Sequence, residues 1–174
     1  MKSFVDARCG AILALTITCA SAARADDPAG RWRFGDDDDG QAVTASVSAT
    51  NKLNSGNGAL SYSPVFTVVC RKDGEPRWSE RLQLSEAVSA TNSIAVSVTL
   101  DRQKRTNETW TVARRGRFLV RGGADGVARL VPASQLRLSW RFGLIAGGSE
   151  ADFDLSGAGQ AIGKIAEACG AELN

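Results

Sequence analysis

The sequence predicts an all-β protein: a single antiparallel β-sandwich or partly closed barrel with one C-terminal α-helix stapled by a disulfide. Three observations carry this expectation. Apolar residues recur at every second position through most of the chain, most clearly where Leu136, Leu138, Trp140 and Phe142 oppose Gln135, Arg137, Ser139 and Arg141, the pattern of a sheet with one buried face. Helical spacing is confined to one segment, Gly157 to Ala168. Two cysteines, Cys70 and Cys169, remain once an N-terminal leader is set aside.

The leader is expected over residues 1–25. Lys2 and Arg8 give a basic start, an uncharged and largely apolar run extends from Cys9 to Ala23, and Ala23-Arg24-Ala25 supplies the small residues of a cleavage site before Asp26. The run is short for a bilayer span, which needs roughly 20 apolar residues. A periplasmic protein is therefore expected, with no stable membrane insertion after leader removal. Lipidation at Cys19 is the lesser alternative, because Thr16 and Thr18 stand where a lipobox carries Leu and a small residue.

Residues 26–58 form an acidic and polar segment with one strand, and residues 59–174 the β-domain with its helix. Within the first, Asp26–Gly40 and Thr50–Gly58 lack periodicity and read as loops. Between them Val43, Ala45, Val47 and Ala49 alternate with Thr44, Ser46 and Ser48. Phe66, Val68 and Cys70 share the face of the next strand, and Asp73-Gly74 turns it into Trp78, Leu82 and Leu84, a β-hairpin. Ile94, Val96, Val98 and Leu100 mark another strand, and Trp110 and Val112 share a face of the strand Thr109–Ala113. Arg115-Gly116 turns the chain into Phe118–Arg121, and Ala151–Leu155 follows the strand around Trp140. The helix carries Ala158, Ala161, Ile162, Ile165 and Ala166 at the 3.6-residue period, with Ser156 as expected N-cap and Gly170 as stop.

Two thiols in an oxidising compartment most simply form one disulfide, whose loop of about 100 residues is worth on the order of 4.7 kcal/mol by loop entropy. The competing reading is a metal site, for which two cysteines without any histidine make a poor ligand set. The bridge pins the terminal helix to the sheet. The full chain has 21 basic and 19 acidic residues. Removing Lys2, Arg8, Arg24 and Asp6 with the leader leaves the two signs equal, so no nucleic-acid partner is expected. The mature length suits one domain that buries roughly 68–70% of its unfolded surface.

Many catalytic schemes need groups this chain lacks. Without histidine there is no Ser-His-Asp or Cys-His arrangement and no H-E-x-x-H zinc motif. Neither a phosphate-binding G-x-x-x-x-G-K-[ST] loop nor a G-x-S-x-G elbow is present. Asp152 and Asp154 share a strand face and form the best carboxylate pair, set against the ordinary solvated side of an edge strand. Glu80 interrupts the apolar face of Trp78, Leu82 and Leu84; a buried acid there needs a partner or a raised pKa, and a strand end or bulge is expected to release it to water. Asp36-Asp37-Asp38-Asp39 lacks the spacing of a calcium loop and reads as a flexible acidic loop. Asn107-Glu108-Thr109 matches a glycosylation sequon, of no expected use behind a bacterial-type leader. Arg77 and Arg81 fall on the polar face of one strand, Arg137 and Arg141 on that of another. If those strands are neighbours, they form a cationic strip for a carboxylate-bearing or anionic partner, weighed against a mixed-charge surface. Arg114, Arg115 and Arg117 add a basic turn.

Taken in order, Phe66-Thr-Val-Val-Cys70-Arg-Lys-Asp73, Glu108-Thr-Trp110-Thr-Val112, Leu136-Arg-Leu-Ser-Trp140 and Ala151-Asp-Phe153-Asp-Leu155-Ser-Gly157 before Cys169 resemble the VasI-like exported proteins associated with type VI secretion. The likeness spans roughly Leu60 to Gly170. It implies an all-β domain with a terminal helix, a Cys70–Cys169 bridge and an accessory role with no catalytic residues. The functional expectation is thus a non-catalytic binding or accessory protein of the periplasm, without cofactor or metal, with a protein partner in the cell envelope and an association with a type VI secretion apparatus. The alternative is a periplasmic inhibitor of a cell-wall hydrolase such as lysozyme.

Overall fold

The computed structural model describes residues 31–173 apart from 38–39, 56–57, 59, 91 and 143–146. The proposed leader, with Cys9, Cys19 and the cleavage site at Ala23-Arg24-Ala25, lies outside the described residues, as do Asp38 and Asp39. In chain order the elements are β1 (Arg33–Asp36), β2 (Ala42–Ser48), β3 (Leu53–Asn54), β4 (Ser61–Tyr62), β5 (Val65–Arg71), β6 (Trp78–Gln83), β7 (Ser93–Leu100), β8 (Thr106–Ala113), β9 (Phe118–Gly122), α1 (Ala124–Ala128), β10 (Gln135–Arg141), β11 (Gly148–Asp154) and α2 (Ala158–Cys169).

Nine strands form one antiparallel sheet in the order β1-β2-β5-β6-β9-β8-β7-β10-β11, and β3 pairs with β4 apart from it. The sheet curls over its own apolar face: Phe66 on β5 meets Phe153 on β11 with ring centroids 5.6 Å apart. It does not close into a barrel. The chain leaving β2 bridges the gap instead, where Thr50 N–H donates to Asp152 O at 2.7 Å. The Asn51 amide completes the bridge, donating to Glu150 O at 2.8 Å and accepting from Asp152 N–H at 2.9 Å. One side chain thus stands in for a missing strand rung.

The predicted alternation is realised: Leu136, Leu138 and Trp140 are buried, as are Val96 and Val98, Phe66 and Val68, and Trp78 and Leu82. The expected hairpin is present, with Cys70 opposite Trp78. Helix α2 buries Ala158, Ala161, Ile162, Ile165 and Cys169 along one stripe against β2 and β5, and Cys169 is bonded to Cys70. Gly170 ends it in the left-handed region at φ 65°.

Four expectations are corrected. The segment Asp26–Gly40 contains β1, all four of whose residues are exposed, so that no apolar period marks it; Trp32 just before it is buried. Thr50–Gly58 contains the two-residue β3. A second helix, α1, follows Gly123; at five residues with Gly126 in it, α1 is too short to display a helical period. Ser156 does not cap α2: Gly157 takes the cap position at φ 81°, and Ser156 N–H donates to Asp154 Oδ1 at 2.9 Å. In addition, β8 and β11 begin three residues earlier than their apolar alternation shows, through polar residues that face solvent or other charges.

Candidate functional site

Charge is concentrated at two places, one inside the curled sheet and one outside it. Inside, β6 does not bulge or end at Glu80. Glu80 remains in register opposite Arg121 of β9 and is fully buried, which corrects the expectation that it reaches water. Its solution is partners. Arg129, just past α1, donates from Nη2 to both carboxylate oxygens at 3.3 and 3.2 Å, and Arg121 donates from Nη1 to Oε2 at 3.2 Å. Glu108 of β8 completes the cluster, accepting from Arg129 Nη2 at 3.0 Å and Trp110 Nε1 at 3.3 Å and pairing with Arg121 Nε at 3.2 Å. Arg129 Nη1 also bonds Glu108.

Helix α1 lies against this cluster. Arg129 Nε donates to Gly126 O at 3.2 Å, and a Cβ on Gly126 would sit 1.8 Å from Arg121 Nη1 and 2.4 Å from Glu80 Oε2. The glycine is required by close approach. Burial pushes the Glu80 carboxyl up, against the pull of Arg129 and Arg121. Burial also acts to raise Glu108, but its Arg129 hydrogen bond and the charges of Arg129 and Arg121 prevail and hold it below the usual range. Both acids are bound to guanidinium groups, and the arrangement serves to seat α1 on β6, β8 and β9.

Outside, the strands carrying the predicted arginines are not neighbours: β9, β8 and β7 separate β6 from β10, so no continuous cationic strip forms. Arg77 precedes β6. Its guanidinium donates to the carbonyls of Arg71 at 3.3 Å and of Lys72, Cys169 and Gly170 at 3.2 Å, clamping the hairpin to the C-terminal end of α2 beside the disulfide. Arg81 pairs with Asp37 at 3.3 Å. The basic turn at Arg114-Arg115-Gly116 is present with all three residues at positive φ, and Arg114 lies over the Phe118 ring.

On β10, Arg137 and Arg141 share the outer face but differ in what stands opposite. Arg137 faces Asp152 and bonds it at 2.7 Å, with Glu150 at 3.3 Å. Asp154, the other half of the sequence-predicted carboxylate pair, binds Arg31 and accepts from Ser156 N–H; the Ser156 contacts, with the Arg31 charge, hold it below the usual range. Both aspartates are engaged by arginines. The hollow beside them holds about 470 Å³ and includes Asp101, which accepts from the N–H groups of Ser134 and Gln135 at 2.9 Å. Its charges are satisfied internally.

Arg141 faces Gly148, so the cross-strand acid is absent, and among the described residues its guanidinium has no hydrogen bond or ion pair. It borders an open depression of about 610 Å³ whose sides include Ala95, Ser97, Asn107, Ser139 and Gly148. Ser97 and Ser139 are opposed in register, and their hydroxyls donate to Asn107 Oδ1 at 2.7 Å and Glu150 Oε2 at 2.8 Å. The periodicity located this arginine, but its lack of a partner depends on register, which the sequence does not display.

Among the described residues no group of three or more His, Cys, Asp or Glu side chains is placed to hold a metal ion, and no helix is long and apolar enough to cross a membrane. Asp36 lies exposed on β1 and Asp37 is engaged by Arg81, so these two aspartates do not converge on a common centre. No family model, curated protein or solved structure matches the chain.

Proposed function

We propose that the chain is an exported, non-catalytic binding protein of the cell envelope that assists a type VI secretion apparatus. The observation that carries the binding reading is the Arg141 rung: an unpaired cation beside an open depression on a braced sheet. Its acidic groups favour this reading over chemistry, since Glu80 and Glu108 are bound to Arg121 and Arg129, and Asp152 and Asp154 to Arg137 and Arg31. General acid–base catalysis needs a carboxyl within reach of a substrate and tuned to the working pH. The secretion context rests on the VasI-like resemblance, whose most specific residues, Phe153 to Gly157 and Cys169, lie on β11, at the entry to α2 and at its end.

The test is cross-linked affinity capture of tagged mature protein from its native envelope fraction, quantified against a tag-only control. Enrichment of secretion-apparatus components is expected. Absence of any specifically enriched protein overturns the binding reading, and enrichment of a cell-wall hydrolase alone replaces the apparatus by the inhibitor role.

A further inference from the structure

We infer that the depression beside Arg141 takes a carboxylate side chain from an extended acidic segment of a protein partner. This rests on the binding reading above and supplies the chemistry of what is bound. The argument begins with β10 and its cross-strand neighbours. At one rung Arg137 is neutralised by Asp152; on the same face Arg141 meets only a glycine hydrogen at Gly148. An incoming carboxylate would stand to Arg141 as Asp152 stands to Arg137, beyond the intervening Ser139–Glu150 rung, giving the guanidinium the charge-assisted hydrogen bonds it is shaped to donate.

The surroundings select the kind of carrier. Ala95 and Gly148 keep the approach to Arg141 low, and the rung of Asn107, Ser97, Ser139 and Glu150 continues it with amide, hydroxyl and carboxylate groups at hydrogen-bonding height. Enclosed clefts suit small ligands because they bury most of the ligand surface. This depression is open along the sheet, so it suits a chain that lies across it and is held by one charge and several polar contacts. Glu150 is shared among Ser139, Arg137 and Arg105, at 2.8, 3.3 and 3.6 Å, which tempers its repulsion of an acidic segment. The Asp152 and Asp154 side of the face disfavours anions, directing the carboxylate to the Arg141 end.

A substitution can supply the missing acid from within. Gly148 has ordinary backbone geometry, and a Cβ there meets only Trp140 O at 3.5 Å, so Gly148→Asp is sterically tolerated. It places a competing carboxylate opposite Arg141 while leaving the arginine in place. The probe is the blocked peptide acetyl-Ser-Glu-Ser-Glu-Ser-amide, titrated into the isotope-labelled mature protein, with the Arg141 Nε–H resonance and the Ser97, Ser139 and Gly148 amides followed by NMR. Saturable shifts at these positions are expected, at least fivefold weaker for the Gln-for-Glu peptide. They should be lost in Arg141→Gln and Gly148→Asp and retained in Arg137→Gln. Equal affinity for the Gln peptide, unchanged binding by Arg141→Gln, shifts centred elsewhere or no shifts would each overturn the site. So would inorganic phosphate binding as tightly as the peptide, which would make it a general anion site. Envelope capture separates the two levels of failure: partners held equally by wild type and Arg141→Gln overturn this site alone, whereas no partner for wild type overturns the binding reading.

Discussion

The cluster beneath α1 and the ladder along β10 and β11 are built from the same chemistry, arginines opposite carboxylates on adjacent antiparallel strands, yet they do different work. In the cluster, Glu80 and Arg121 are a cross-strand pair on the inner face, and Glu80 has no exposed surface. In the ladder, Arg137 and Asp152 are a cross-strand pair on the outer face, with half and more than a third of their side chains exposed. Inside, water cannot take over when a partner leaves, so each charge depends on the others. Outside, solvent screens each pair and can replace either member. The same pairing is therefore structural in one place and dispensable in the other. Only the exposed face can leave an arginine unpaired at small cost, and that is where the open cation is found.

Removing one partner from the cluster is the strongest way to test this contrast. Arg129→Ala strips Glu80 and Glu108 of their shared donor, and the loss of one member of a buried pair costs about 3–5 kcal/mol. Chemical denaturation should show a loss in that range; a change under about 1 kcal/mol, the scale of exposed pairs, would mean that water reaches Glu80. Gly126→Ala comes next. Its methyl group meets Arg121 and Glu80 inside contact distance, so α1 must lift or the ions must part, at about 1–3 kcal/mol by the usual cost of overpacking. Wild-type stability in this variant would show that α1 does not press on the cluster.

pH distinguishes the two acids within the cluster. Glu108 has a folded pKa below its ordinary value, so it contributes stability that is present above the unfolded value of about 4.3 and lost as pH falls through the folded one. Glu80 has the opposite sign. Its raised folded pKa contributes stability below the unfolded value that is lost as pH rises through the folded value. Urea midpoints measured from acid to neutral pH should show Glu108→Gln losing part of the acid-side decline and Glu80→Gln losing a decline on the neutral side. The slopes are the readout, since both variants also lose ion pairs. Identical slope changes would show that the two acids titrate in one environment.

What the sequence made legible follows from the reach of each signal. Alternation is local, so β2, β5, β6, β7 and β10 were readable, as was α2 from its apolar period. The Cys70–Cys169 pairing needed only the number of cysteines left when the proposed leader is set aside. Register and strand order are non-local. The sequence therefore placed Arg81 and Arg141 on outer faces without showing that three strands separate β6 from β10. Arg77 was assigned to a strand that it only precedes, because alternation continues through the turn that presents it to α2. Glu80 stood out as the one acid in an apolar series. Its partners Arg121 and Arg129 are 41 and 49 residues away and carried no mark of their own. β1 was invisible because this edge strand is exposed on both faces and its one apolar residue, Phe34, makes no alternating series.

The smallest effect belongs to the ladder, and it can be produced by adding a charge as well as by removing one. Arg137→Gln should move the denaturation midpoint less than any cluster variant, with the difference fading at high salt, since the arginine is solvated on the outer face. Gly148→Asp should act in the other direction, giving Arg141 the acid that Arg137 already has. Opposite charges in cross-strand positions contribute roughly 0.2–1 kcal/mol, so a slight gain at low salt that disappears in 1 M salt is expected. A gain that persists in high salt would come from packing or from the loss of glycine freedom. A loss would mean that the Arg141 rung is not open to a carboxylate. The low stability value of this position is what fits it for a partner: displacing water from an exposed arginine costs the fold little, whereas recruiting Arg129 for the same task would unseat α1.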